Sequence, residues 1–317
     1  MERFVTQYGA IEGVAAAEFY PDGSVRECIL NRPNRLKTEY GDLVPQHQED
    51  GVRRKYAKSL SFHANGNLKS ISLQEQTLIP TALGVIPAEL ITFYPGGALH
   101  RVFPLNGKLS GYWTEANEYQ LAPVLELDLP CGNFRKKIIG IRFYENGGVK
   151  SITLWPGDNV SLRTPVGDAE VRIGFALYPD GTMESFEPFR PLLVNTAIGA
   201  INAYHPGAVG IHSDNGSLRF DPMGKVCSLI TATDRITVTG GDERQFVYQP
   251  GAKASPLHEE RIEIVPLQID FGGGNVRFNQ NPDHEYRMDQ YSFRVENRSL
   301  TDQSAGAECP GCDAGAE

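Results

Sequence analysis

Apolar and polar positions alternate over short runs along most of this chain, and the runs are broken at close intervals by glycine, proline, asparagine and aspartate. Around Gly147 the segment Ile139-Gly-Ile-Arg-Phe-Tyr leads into an Asn-Gly turn, and Val149-Lys-Ser-Ile-Thr-Leu-Trp155 leads out of it. Both flanks are rich in β-branched and aromatic residues with partial period-two alternation, which predicts a strand on each side. Asp-Gly and Asn-Gly supply positive φ at small steric cost, so the unit reads as a β-hairpin. Helical periodicity is almost absent. The one helix predicted is short, follows Thr114 over residues 115–121, and is stopped by Pro123.

The hairpin signal recurs. An aromatic or apolar pair, two variable residues, Gly and then an apolar residue appear as Phe19-Tyr-Pro-Asp-Gly23-Ser-Val25, Phe62-His-Ala-Asn-Gly66-Asn-Leu68, Phe93-Tyr-Pro-Gly-Gly97-Ala-Leu99, Phe143-Tyr-Glu-Asn-Gly147-Gly-Val149 and Leu177-Tyr-Pro-Asp-Gly181-Thr-Met183. Weaker copies follow around Gly216, Gly224 and Gly251. A second turn precedes most of them, as Thr38-Glu-Tyr-Gly41, Thr81-Ala-Leu-Gly84, Thr164-Pro-Val-Gly167 and Thr196-Ala-Ile-Gly199, and more loosely as Gln7-Tyr8-Gly9 and Pro130-Cys131-Gly132. An isolated hairpin cannot bury an apolar face in water, so consecutive units must pair or stack. The expected fold is all-β: repeated β-hairpins over residues 1–300 forming an elongated meander or solenoid-like sheet. The alternative is two β-sandwich or barrel domains divided near the proline-rich segment 187–191.

The motifs Phe19-Tyr-Pro-Asp-Gly-Ser-Val25, Phe143-Tyr-Glu-Asn-Gly-Gly-Val149 and Asn106-Gly-Lys-Leu-Ser-Gly-Tyr-Trp113 resemble MORN-type and MORN-variant hairpin repeats, the latter found in proteins often labelled antitoxin-like. The likeness touches roughly residues 15–230. The units here are longer and uneven, with insertions such as Val44–Arg54 and Thr114–Leu129. What the resemblance implies is an interaction or scaffold module, and it transfers no catalytic residue.

Charge narrows the partners. With 30 Lys+Arg against 39 Asp+Glu the net charge is -9, and such a surface repels phosphate backbones, which argues against nucleic acid. Residues 301–317 hold Asp302, Glu308, Asp313 and Glu317 with no base, and read as a disordered acidic tail. The basic clusters Arg53-Arg54-Lys55 and Arg135-Lys136-Lys137 read as solvated strand faces. The stretch 191–213 lacks charge but contains Asn195, Asn202, His205, Pro206 and His212, so it is expected to form interior strands rather than a membrane span. The start of the chain shows no basic segment followed by an apolar run, so the expected location is cytoplasmic.

Candidate chemistry is sparse. Five cysteines, at 28, 131, 227, 309 and 312, do not form a disulfide framework and are expected to be reduced. Cys309-Pro-Gly-Cys312 has the spacing at which two thiolates chelate one ion, so Cys309 and Cys312 are the candidate metal ligands, for zinc or iron, or a redox pair. Two thiolates supply half of a tetrahedral site, and the sequence shows no second C-x-x-C. His212-Ser-Asp214 falls where an Asx turn is expected, Glu184 and Glu187 carry no spacing that defines a carboxylate pair, and Gly272-Gly-Gly-Asn275 lacks the phosphate-loop pattern. Trp113 and Trp155 are expected in the core. The functional expectation is a non-enzymatic, cytoplasmic scaffold offering an extended β-surface to a protein partner, with self-association through an unpaired terminal hairpin. The alternative is a metal-binding or redox accessory protein acting through Cys309 and Cys312.

Overall fold

The computed structural model describes residues 3–51, 53–54, 58–107, 112–209, 216–254 and 262–299. The chain is nearly all β, built from antiparallel hairpins that form a large meander rather than a closed barrel. The predicted helix is present at Glu115–Leu121. Thr114 caps it: its side chain accepts from the Asn117 backbone N–H while the Asn117 side chain accepts from the Thr114 N–H. That reciprocal pairing satisfies two of the donors a helix start leaves open. No helix among the described residues is long and apolar enough to cross a membrane.

The chain divides into two compact units, one comprising residues up to Val160 together with Ala176–Thr182, the other Ser161–Phe175 and most of the chain from Met183 on. In the first unit the strands Val14–Phe19, Val25–Leu30, Leu60–Phe62, Leu68–Thr81, Gly84–Phe93, Leu99–Phe103, Gly132–Phe143 and Val149–Leu154 pair antiparallel in that order. Leu60, Ile71, Ile91, Val102, Ile141, Ile152 and Phe143 are all but inaccessible and form the core on one face of this sheet. Val14–Phe19 pairs with Val25–Leu30. Smaller hairpins alternate with the sheet hairpins: Arg3–Thr6 with Gly9–Glu12, Leu36–Thr38 with Gly41–Leu43, Thr77–Thr81 with Gly84–Ala88, and Val124–Leu129 with Gly132–Lys137. We call these the arm hairpins.

In the second unit Met183–Pro188, Leu218–Phe220, Val226–Thr231, Leu267–Gly272, Asn275–Phe278 and Glu285–Arg287 pair in order. Arg235–Thr239 lies between Gln245–Tyr248 and Ser292–Glu296 in a separate small sheet. Phe186 stacks on Phe220 at 6.0 Å in the core. The fully buried Asp234 accepts from the Asn202 N–H at 2.6 Å and from the Asn297 amide at 2.7 Å, tying an arm hairpin to the last described segment. Buried carboxylates persist where their lone pairs are filled, as here.

Two local expectations change. The stretch expected to hold interior strands instead forms the arm hairpin Leu192–Thr196 with Gly199–Ala203, whose residues alternate between buried and exposed. Arg53 and Arg54, read as part of a solvated strand face, are both buried.

Candidate functional site

The aromatic-x-x-Gly motifs fold into one turn, repeated. In each, the glycine N–H donates to the carbonyl three residues earlier and the N–H of that earlier residue donates across the hairpin mouth: Gly23 to Tyr20, Gly66 to His63, Gly97 to Tyr94, Gly147 to Tyr144 and Gly181 to Tyr178. This is a type I turn closed by a left-handed residue in a bulge, which explains Pro at its second position and Gly at its fourth. The glycines sit at φ +84, +82, +99, +86 and +85, a region costly for any residue bearing a Cβ. Asp22, Asn146 and Asp180 each accept the N–H two residues on; Asp22 and Asp180 also accept the Ser24 and Thr182 hydroxyls, and these hydroxyl bonds first, then the N–H bonds, hold the two carboxyls below their ordinary pKa.

The arm turns share a second geometry. In Thr6, Thr38, Thr81, Thr164 and Thr196 the hydroxyl donates to the glycine carbonyl three residues on and accepts the N–H two residues on. Thr6-Gln-Tyr-Gly9, legible in sequence only as the loose copy Gln7-Tyr8-Gly9, is therefore a full member.

Successive hairpins are cross-linked by a ladder that the sequence reading missed. The second aromatic of each sheet turn reaches the carbonyl of the first residue of the next: the Tyr20 hydroxyl donates to Phe62 O at 2.9 Å, His63 Nε2 to Phe93 O at 3.0 Å, the Tyr94 hydroxyl to Phe143 O at 2.9 Å, and the Tyr144 hydroxyl to Leu177 O at 2.8 Å. Because a carbonyl only accepts, the His63 ring carries its proton on Nε2. The signal was present, since the second position of every strong motif copy is a ring with a donor at its far end. The arm turns join in: the Tyr8 hydroxyl accepts from Leu68 N at 2.9 Å and the Tyr40 hydroxyl from Leu99 N at 3.1 Å. Burial, with Glu39 adding to it, raises the Tyr40 phenol.

Where arm turns meet sheet turns, three contiguous depressions lie among the described residues. The first, about 440 Å³, lies among Phe4, Val5, Gln7, Val25, Phe62 and Gly66. The second, about 320 Å³, lies among Gln7, Tyr8, Lys37, Tyr40, Phe93 and Gly97. The third, about 540 Å³, lies among Glu39, Tyr40, Pro80, Leu99, Phe143 and Glu145. Neighbours share walls, Gln7 between the first two and Glu39 with Tyr40 between the last two. The arm hairpins also expose apolar side chains. Leu78 (66 % exposed) pairs with Pro87 and Val85 (65 %) with Pro80, so four apolar residues share one outer face.

The two insertions in the first unit meet at a buried ion cluster. Arg53 grips Glu89 through Nη2 at 2.7 Å and Nη1 at 3.3 Å, and Glu118 through Nη2 at 2.8 Å and Nε at 3.1 Å. Glu118 also accepts from the Trp113 indole N–H, and Glu89 from the Asn106 N–H at 2.8 Å. Burial alone would lower the Arg53 guanidinium, but the two glutamates outweigh it and hold it above its ordinary value. Arg54 donates to the carbonyls of Leu73 and Gln74, each at 2.7 Å. The cluster pins the 44–54 insertion and the capped helix onto the sheet. The Arg53 guanidinium and the Glu89 and Glu118 carboxylates are held by structural partners, so the cluster acts as a clamp.

In the second unit Glu187 is buried and accepts from the Ser217 hydroxyl and N–H, from Arg172 Nη2 at 3.3 Å and from the His205 N–H at 3.3 Å. Burial raises its carboxyl despite these partners, and lowers the His205 imidazole, with Arg172 adding to the latter. The Ser217 hydroxyl points at the carboxylate, while His205 Nδ1 accepts from the Gly207 N–H, so serine and imidazole are not coupled as nucleophile and base. Glu184 is paired with Arg219 at 3.4 Å. Cys309, Cys312, His212 and Asp214 lie outside the described residues. No group of three or more His, Cys, Asp or Glu able to hold a metal occurs among the described residues. Trp155 is buried as expected, against Tyr119, while Trp113 is half-buried. Comparisons with protein-family models, with curated proteins and with solved structures return no match to this chain.

Proposed function

We propose that the chain is a non-catalytic protein-interaction module, a cytoplasmic hairpin-repeat scaffold that offers the row of turn depressions to a protein partner. The observation that carries this reading is the contiguity of the three depressions: successive hairpins of the first unit each add one, with shared walls, so the binding surface grows with the sheet. The tyrosine ladder fixes that surface in advance, which lowers the ordering cost of binding. Exposed apolar positions at Val5, Leu78 and Val85 extend it with the contact area a partner needs. The resemblance of the turn motifs to MORN-type repeats, which implies a scaffold role, agrees with it.

The test is site-specific photo-cross-linking in the source cell. A photoreactive residue at Lys37 or Ala82, on the row, is compared with one at Arg163, on the second unit. Adducts to one discrete protein from the row positions alone support the module. Equal adducts from Arg163, or none from either row position, overturn it.

A further inference from the structure

The depressions recur with the sheet. Each sheet hairpin contributes two strands, and neighbouring strands are about 4.8 Å apart, so successive depressions are offset by about 9.6 Å. The three of them are flanked in turn by Val25 and Phe62, by Leu68 and Phe93, and by Leu99 and Phe143, each pair taken from consecutive hairpins. A chain lying across the row must bring a side chain to the same side every ~9.6 Å. A polyproline II helix does so with three residues per turn at ~3.1 Å each, or ~9.3 Å. A β-strand advances about 10 Å in three residues but then presents the opposite face, and an α-helix returns to the same side after two turns at ~10.8 Å, a poorer match. Walls of aromatic rings are the surfaces on which polyproline II segments dock. The rings with accessible surface are Phe4 at the first depression, Tyr8 and Tyr40 at the second and Tyr40 at the third, while Phe62, Phe93 and Phe143 line them from the core.

Charge orders the ligand. The first depression has no charged wall, the second has Lys37 beside Glu39, and the third has Glu39 and Glu145 with no lining base. Glu39 and Glu145 are both exposed, so their carboxylates face solvent where a cation on the ligand can reach them.

Resting on the interaction-module reading, we propose that the row binds a polyproline II segment of a partner protein, with proline at two positions three apart over the first and second depressions and arginine or lysine a further three residues on, over the third.

The test is fluorescence anisotropy with the full chain and three labelled synthetic peptides. One carries the Pro-x-x-Pro-x-x-Arg spacing, one has the same composition with spacing two, and one replaces the arginine by glutamate. The expected result is saturable binding of the first alone. Glu39→Lys with Glu145→Lys weakens it about tenfold and transfers preference to the glutamate peptide, since each swap turns an attraction into a repulsion. Equal binding of the spacing-two peptide, or a charge-swapped variant with unchanged preference, overturns the proposal. Absence of binding by all three also overturns it, and the cross-linking result then separates the cases: row adducts mean a module with a different ligand, and no adducts mean that both readings fail.

Discussion

Replacing Arg53 by methionine tests whether the buried cluster holds the first unit together. Methionine is similar in length, so little cavity forms, but Glu89 and Glu118 lose their shared cation while their side chains stay 8 % and 7 % exposed. Arg54 Nη1 is 4.0 Å from Glu89, too far to replace the bidentate grip. Leaving buried charges uncompensated costs about 3–5 kcal/mol, which for a unit of this size lowers the midpoint by about 6–20 °C. The assay is built in: the chain has two tryptophans, Trp113 and Trp155, both in the first unit, so urea unfolding followed by their emission reports on that unit. One further result follows from the same physics. The triple variant Arg53→Met, Glu89→Leu, Glu118→Leu recovers most of the loss, since no charge is left buried. A single-variant cost under about 1 kcal/mol, or a triple variant no more stable than the single, refutes the clamp.

Tyr94→Phe removes one rung of the ladder and leaves Phe143 O without that donor, so it costs about 0.5–1.5 kcal/mol in urea unfolding, additive with Tyr20→Phe because the rungs share no partner; strong coupling between the two contradicts independent rungs. Burial raises the folded-state pKa of Glu187 above its unfolded value, so its contribution to stability is greatest at low pH and falls as pH rises through the folded pKa. Glu187→Gln accordingly flattens that decline in a pH series of unfolding free energies, and an unchanged slope counts against the assignment. Burial pushes the thiols of Cys28 up to about 12 and Cys131 up to about 11, and raises Cys227 as well. With Cys309 and Cys312 replaced by serine, the folded chain should then react with a disulfide reagent at pH 8 far more slowly than free cysteine, with full reactivity only in denaturant; a fast thiol in the folded variant shows the burial to be wrong.

The sequence by itself determined the hairpins. Their turns are decided by residues within five positions of one another: Asp22 and Gly23 set one, Thr38 and Gly41 another, and the bonds that close them are local. The capped helix was legible for the same reason, since Thr114 and Asn117 settle it together. Tertiary structure alone decided where the rest of each motif points. The second aromatic of a turn finds its acceptor 33 residues away from Tyr144, or 49 from Tyr94, and nothing local announces a carbonyl at that distance. Arg53 and Arg54 look like a solvated basic pair because the partners that make their burial tolerable are distant in sequence: Glu89 and Glu118, 36 and 65 residues on, for Arg53, and the Leu73 and Gln74 carbonyls, 19 and 20 residues on, for Arg54. The depressions likewise belong to no single segment. They exist because arm turns and sheet turns, separate in sequence, are set side by side by strand pairing, and pairing partners are fixed by the burial of whole faces rather than by any one residue.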